Sequence, residues 1–256
     1  MHTYNRQWHS PPQTFTLNHD EVHVWRSSLR WPDAQIQQWK TLLSTDERER
    51  ADRFYFEKDR EAYIAARGVL RLLIGRYLAI EPTEIRFDYG PQGKPALTSS
   101  SEYPPLRFNL SHSGDIVLYG FTLQRTIGVD VEQIRTNLEY EQIATGFFSQ
   151  YEQETLQSLP SSIKPAAFFT CWTRKEAYIK AVGKGLSLPL DQFDVTLIPG
   201  EPAKLLETRG APDEADRWSL EEIEIDAGYK AAVVVEGNDW QLRCHGVPPT
   251  GLPSST

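Results

Sequence analysis

Cysteine is scarce: Cys171 and Cys244 are the only two in 256 residues. Two distant thiols make no CxxC pair, no zinc-ligand spacing and no disulfide ladder. A disulfide-stapled scaffold and a structural zinc site are therefore excluded. Positive charge is also short, with 27 Lys and Arg against 35 Asp and Glu and a net charge of −8. General nucleic-acid binding needs the opposite balance. No apolar run approaches a membrane span, and residues 1–16 are polar, without the apolar core of a secretion signal. These absences predict a soluble protein of the reducing cytoplasm, with neither membrane nor nucleic acid as partner. What is present is core material. Hydrophobic residues make up 39%, with seven Trp and 11 Phe, which excludes a disordered chain and suffices for one large domain or two small ones.

Residues 21–25 alternate polar and apolar, as a half-buried strand does. Ser44 and Glu47 have capping-box spacing, and 46–78 predicts one or two helices. Their charged face carries Arg48, Arg50, Arg53, Arg60, Arg67 and Arg71. Residues 89–95 are dense in turn formers and predict a loop. Residues 106–110 and 116–123 predict strands around a turn at 111–114, and 127–132 predicts a further strand. Residues 147–156 and 165–182 predict helices, the second stopped by Gly183 and Gly185. Residues 193–197, 218–225 and 229–235 predict strands. Residues 1–19 predict an irregular lead-in.

The string REAYIAA at 60–66 is echoed as KEAYIKA at 175–181, each with a strand earlier in its half. The echo predicts an α/β (α+β) fold of two similar subdomains joined near Gln124. The boundaries expected are 1–123, 124–245 and a flexible Pro- and Ser-rich tail at 246–256. Lys180 in the second copy replaces Ala65 in the first.

In the segment IGVDVE (127–132), strand alternation sends Ile127, Val129 and Val131 to one side and Asp130 and Glu132 to the other. Adjacent carboxylates repel unless a cation lies between them. A hard divalent ion with oxygen ligands fits, magnesium best when phosphates complete its shell. Alone, the pair suits a solvated edge strand better. On the helix 165–182, Glu176 and Lys180 are one turn apart and share a face with Trp172. Alone, they suit a surface ion pair.

Together, IGVDVE and FFTCWTRKEAYIKAVGKGLSLPL (168–190) resemble the two signature motifs of the Sfp-type 4'-phosphopantetheinyl transferases: a G-[IV]-D-[IVL]-E strand, then W-x-x-K-E-[SA]-x-[IL]-K on a helix. Three further pieces fall in order: DRF (52–54), YGPQGKP (89–95) and FNLSHSG (108–114). The resemblance spans about residues 40 to 236. The lead-in and the tail have no counterpart, and 60–66 falls where members vary widely.

The resemblance implies two pseudo-twofold-related subdomains with the site at their interface. It implies a monomer, in effect a pseudo-dimer. It implies an enzyme of the holo-acyl-carrier-protein synthase type. This would move phosphopantetheine from coenzyme A to a serine of an apo acyl or peptidyl carrier protein, releasing 3',5'-ADP. Asp130, Glu132 and Glu176 would hold Mg²⁺, with Mn²⁺ able to substitute. Glu176 would be the general base, and Lys180 would contact the phosphates. Lys94, Ser111 and His112 match nucleotide-binding positions; Arg50 and Arg67 match basic positions near the 3'-phosphate by a looser alignment. Carrier contact is expected from a local patch, since this chain and most carriers are both acidic; the apolar segment 144–149 is one candidate. Two alternatives stay open: a non-catalytic coenzyme A or nucleotide-binding protein, and another Mg-dependent phosphoryl-transfer enzyme.

Overall fold

Alternating apolar residues build two main sheets, and each carries one long helix on its outer face. In this computed structural model, residues 8–90, 93–98, 103–183 and 185–252 are described. The beginning of the lead-in, positions 91 and 92 of the turn-rich loop and the last four positions of the expected tail lie outside them. The first half runs β1 (Glu21–Ser28), α1 (Asp33–Lys40), α2 (Thr45–Asp52), α3 (Glu57–Leu78), β2 (Phe87–Tyr89), β3 (Pro95–Leu97), β4 (Leu106–Ser113) and β5 (Ile116–Leu123). The second runs β6 (Ile127–Gln133), α4 (Tyr140–Phe147), α5 (Gln150–Ser158), α6 (Lys164–Val182), β7 (Phe193–Val195), β8 (Leu205–Thr208), β9 (Trp218–Glu222) and β10 (Tyr229–Glu236). A last strand, β11 (Gln241–Gly246), follows.

The first sheet has the order β11-β1-β5-β4 and the second β6-β10-β9. Period-two alternation gives each sheet two apolar faces. Trp25, Val117, Tyr119 and Phe121 pack outward on Ile64, Val69 and Leu73 of α3. Val22, Val24, Ile116 and Leu118 pack inward on Ile127, Val129, Val131 and Val233 of the other sheet. Leu220, Ala232 and Val234 pack outward on Phe169, Ala177 and Ala181 of α6. The layers are helix, sheet, sheet, helix, so the fold is α/β with two similar halves. Each fully buried Val, Leu or Ile in these layers contributes about 1.5–3 kcal/mol.

One local expectation is made definite and two change. The stretch 46–78 divides at residues 53–56 into α2 and α3, after the Ser44–Glu47 capping box has started α2. The stretch 147–156 divides because Ser149 caps a new helix: its hydroxyl accepts the Glu152 N–H, and the Glu152 carboxylate accepts the Ser149 N–H. Ser111 and His112 belong to strand β4, and Gly114 and Asp115 alone make the turn. Ser113 pairs with Ile116, and Gly114 takes φ +56, which suits a two-residue hairpin.

The expected tail is corrected up to residue 252. Gly246 ends a strand, Val247 donates its N–H to the Arg26 carbonyl at 2.8 Å, and Leu252 is buried against the first core. Apolar burial and strand pairing hold this segment down despite its Pro and Gly content. Strand β11 also lies outside the sheet expected for 124–245: it pairs in parallel with β1. Among the described residues, no helix is long and apolar enough to cross a membrane.

Candidate functional site

Strand β6 and helix α6 lie unusually close. A Cβ on Gly128 would fall 2.0 Å from the Ala177 carbonyl oxygen and 2.4 Å from the Ala181 nitrogen. Only glycine permits this approach. By strand alternation Asp130 and Glu132 share the α6 side with Gly128, as the sequence predicts. Helix α6, a little over five turns long, places Glu176 and Lys180 over them.

Asp130 is buried, 3% exposed. Lys180 Nζ donates to its Oδ1 at 2.6 Å and to Ser111 Oγ at 2.9 Å; Ser111 Oγ in turn donates to Oδ1 at 2.8 Å. Asp130 Oδ2 is buried with no hydrogen-bond partner among the described residues. Ser113 Oγ donates to Glu132 Oε2 at 2.7 Å. Burial raises the Glu132 carboxyl above its ordinary pKa; the Ser113 bond opposes this and the Asp130 charge adds to it. Burial also raises Glu176, again helped by Asp130 and opposed by Lys180. The three acids therefore feel one another. As their side chains stand, no three His, Cys, Asp or Glu among the described residues form a ready metal-ligand group; Lys180 and Ser111 hold Asp130 instead.

The donor chemistry nevertheless fits a hard divalent cation. Three mutually repelling carboxylates share Lys180 as their nearest cation, the buried Asp130 Oδ2 has no hydrogen-bond partner among the described residues, and magnesium takes oxygen ligands of this kind.

Beside the acids lies a cleft of about 470 Å³, lined among others by Arg50, Tyr63, Arg67, Tyr89, Pro95 and His112. Its His112 follows Ser111, the donor to Asp130, on β4, and feels the charges of Lys180 and Asp130. Partial desolvation, then the Lys180 charge, hold the His112 imidazole below its ordinary pKa, although its edge reaches solvent. Lys94 donates to the Lys180 carbonyl. Burial, then repulsion from Lys180 and Arg107, lowers its ammonium to about 8. Arg50 is exposed, 5.6 Å from the Tyr63 ring.

Arg67 is buried and already engaged. Its Nε donates to Glu47 Oε1 at 2.6 Å and its Nη2 to the Tyr89 hydroxyl at 3.2 Å. Arg71 Nε holds the other Glu47 oxygen at 2.6 Å. The buried Glu47 thus fixes Arg67 in the cleft wall. The sequence reading gave Glu47 only a capping role. Ser113 stood inside the quoted SHSG string without one. Its signal was the 109, 111, 113 alternation, which matches the acid strand's own period. In the apolar segment 144–149 the two phenylalanines divide: Phe148 is core, and Phe147 is 47% exposed and edge-on to Trp172.

Two family models match the chain in tandem. Residues 25–121 match the one described as 4'-phosphopantetheinyl transferase, N-terminal, and residues 126–234 match the 4'-phosphopantetheinyl transferase superfamily. The break between them coincides with the junction of the two halves. The 4'-phosphopantetheinyl transferase HetI of Nostoc sp. is 43% identical over 236 residues, covering 92% of this chain and 96% of that one. The 4'-phosphopantetheinyl transferase Sfp of Bacillus subtilis is 33% identical over 205 residues, 80% of this chain and 87% of that one. The human L-aminoadipate-semialdehyde dehydrogenase-phosphopantetheinyl transferase is 31% identical over 214 residues, 77% of this chain and 68% of that one. The chain belongs to the Sfp-type 4'-phosphopantetheinyl transferases.

Proposed function

We propose that this protein transfers the 4'-phosphopantetheine group of coenzyme A to a serine of an apo acyl or peptidyl carrier protein, as a monomer in the cytoplasm. The observation that carries the reading is that His112, in the cleft that Arg50 and Arg67 also line, lies within electrostatic reach of Lys180 and Asp130 of the acid group. The names of the relatives supply the reaction class.

Arg50, Arg67, Lys94, Ser111 and His112 supply the cations and donors that a nucleotide with a 3'-phosphate requires. Asp130, Glu132 and Glu176 would hold magnesium, which when bound neutralises charge on the pyrophosphate. Glu176 takes the proton of the carrier serine. That oxygen forms a bond to the β-phosphorus of coenzyme A while the phosphoanhydride bond breaks, and 3',5'-ADP leaves with the electron pair. Lys180 stabilises the charge that develops on the departing phosphate. The raised Glu176 carboxyl suits a general base working near neutral pH. The carrier brings the nucleophile, so no reactive serine or cysteine is needed in this chain. Cys171 accords with that: burial keeps its thiol far above the range of a reactive cysteine.

The test is incubation with coenzyme A, Mg²⁺ and a panel of purified apo carriers, read by intact mass. One carrier should gain one phosphopantetheine group. If every carrier in the panel stays unmodified here, yet is modified by a known transferase, the reading fails.

A further inference from the structure

We propose that Ser113 is a positioning residue for Glu132, and that Tyr229 holds the hairpin tip that presents it. The inference rests on the reading of Asp130, Glu132 and Glu176 as holders of a divalent cation.

Strands β4 and β6 lie in different sheets and share no backbone ladder. Side chains on alternate β4 positions join them instead. Asn109 Oδ1 accepts the Val129 N–H at 2.8 Å. Ser111 Oγ donates to Asp130. Ser113 Oγ donates to Glu132 Oε2 at 2.7 Å and accepts the Gln133 N–H at 3.1 Å. Both hydrogen-bonding roles of the Ser113 hydroxyl are thereby filled by the acid strand, so the direction of its proton is fixed. Asp130 has Lys180 as a second anchor; Glu132 has only a weaker one, Arg135 at 3.9 Å from the same Oε2, on its own segment. Without the Ser113 hydroxyl, Glu132 would regain its rotamers, with only the long Arg135 contact left.

The tip itself is clasped from the second half. The Tyr229 hydroxyl accepts the Asp115 N–H at 3.3 Å. A Cβ on Gly114 would lie 2.4 Å from that hydroxyl and 2.8 Å from Gln133 Oε1. From the first half, Leu29 donates its N–H to the Asp115 carbonyl at 2.8 Å. The turn beside His112 and Ser113 is therefore pinned to both halves. It sets the nucleotide cleft and the acid strand in one register.

The experiment compares Ser113→Ala, Ser113→Thr and Tyr229→Phe with the wild-type chain. Mn²⁺ uptake is followed by loss of the free-ion electron paramagnetic resonance signal with coenzyme A present, alongside thermal melts. Loss of a group that orients a metal-holding carboxylate costs about 10–100-fold in metal affinity. Ser113→Ala should bind Mn²⁺ at least tenfold more weakly. Ser113→Thr, which keeps the hydroxyl, should return to within about threefold of wild type. Tyr229→Phe should raise KM for coenzyme A severalfold at unchanged melting temperature. The inference is overturned if the alanine variant takes up Mn²⁺ like wild type, or if threonine does no better than alanine. Should alanine unfold the chain, the threonine and Tyr229→Phe arms decide it by the same criteria. A wild-type chain that takes up no Mn²⁺ overturns the proposed ligand set itself, and this inference with it.

Discussion

Replacing Lys175 by methionine tests how α6 is held in place. The ammonium of Lys175 is completely buried, next to Glu176 in sequence but about 100° further round the helix. It donates to Glu152 Oε1 at 2.8 Å, to the Leu190 carbonyl at 2.7 Å and to the Phe193 carbonyl at 2.5 Å. All three protons are used. Glu152 also accepts N–H groups from Ser149 and Val195. The pair thus ties α6 to α5 and β7. Methionine fills similar volume but leaves a buried carboxylate without its cation and two carbonyls without a donor. Breaking one side of a buried pair costs about 3–5 kcal/mol. At roughly 2–4 °C per kcal/mol for a chain of this size, the melting temperature should fall by about 6–20 °C. The pH dependence gives a second handle. Burial already raises the Glu152 carboxyl, and Lys175 restrains it. Without Lys175 its folded-state pKa rises further above the unfolded value. The protonated acid is then the form the fold tolerates. Stability is retained at low pH and lost as pH rises through the folded pKa, so the deficit should be largest at pH 8 and shrink towards pH 5. The assay is urea unfolding of both chains across that range. A deficit under about 1 kcal/mol, or one that ignores pH, would refute this account of the pair.

Three further outcomes are expected. Gly128→Ala should cost at least about 3 kcal/mol in urea unfolding, because its methyl meets α6 backbone on both sides and nothing flexible can yield; a soluble variant with native stability contradicts the close approach. Lys94 titrates at about 8, so KM for coenzyme A should rise as pH passes 8 and the ammonium is lost, and Lys94→Met should flatten that limb of the profile. Glu176→Gln should retain part of its coenzyme A binding by calorimetry while transfer falls by roughly 10²–10⁴-fold; turnover near wild type removes Glu176 as the base.

The elements that follow a simple period were readable before any fold. The 127–132 strand places Val129 in the core and Asp130 toward α6, because alternation needs no tertiary information. The helix 165–182 was readable to within a residue, stopped by Gly183 at φ +76. Breaks inside helical stretches were harder. Ser149 caps α5 where the apolar pattern of 147–156 runs on in sequence, and the local hydrogen bonds of one serine outweigh that pattern. The C-terminal segment was misread for another reason. Its Pro and Gly content says loop, but long-range partners decide its fate: Arg26 takes the Val247 N–H, and the first core takes Leu252. Sequence spacing carries no trace of a partner more than 200 positions away.

The site shows the same division between local and distant causes. The shared faces of Asp130 with Glu132 and of Glu176 with Lys180 follow from the spacing within each motif, and the fold brings strand and helix together. The supporting groups were not, since each is defined by a partner in another segment. Glu47 has a satisfying local explanation as a capping residue, and only the packing of α2 on α3 reveals that it also grips Arg67 and Arg71. Lys175 differs from Lys180 by a little over one helical turn, yet one is sealed beneath α6 and the other faces Asp130. The KE dipeptide thus carries two opposite duties at consecutive positions. Lys175 fixes the helix from its buried side so that Glu176 can stand beside Asp130 and Glu132. That arrangement predicts which losses can be separated: weakening Lys175 should lower stability before it alters the proton acceptor, and weakening Glu176 should do the reverse.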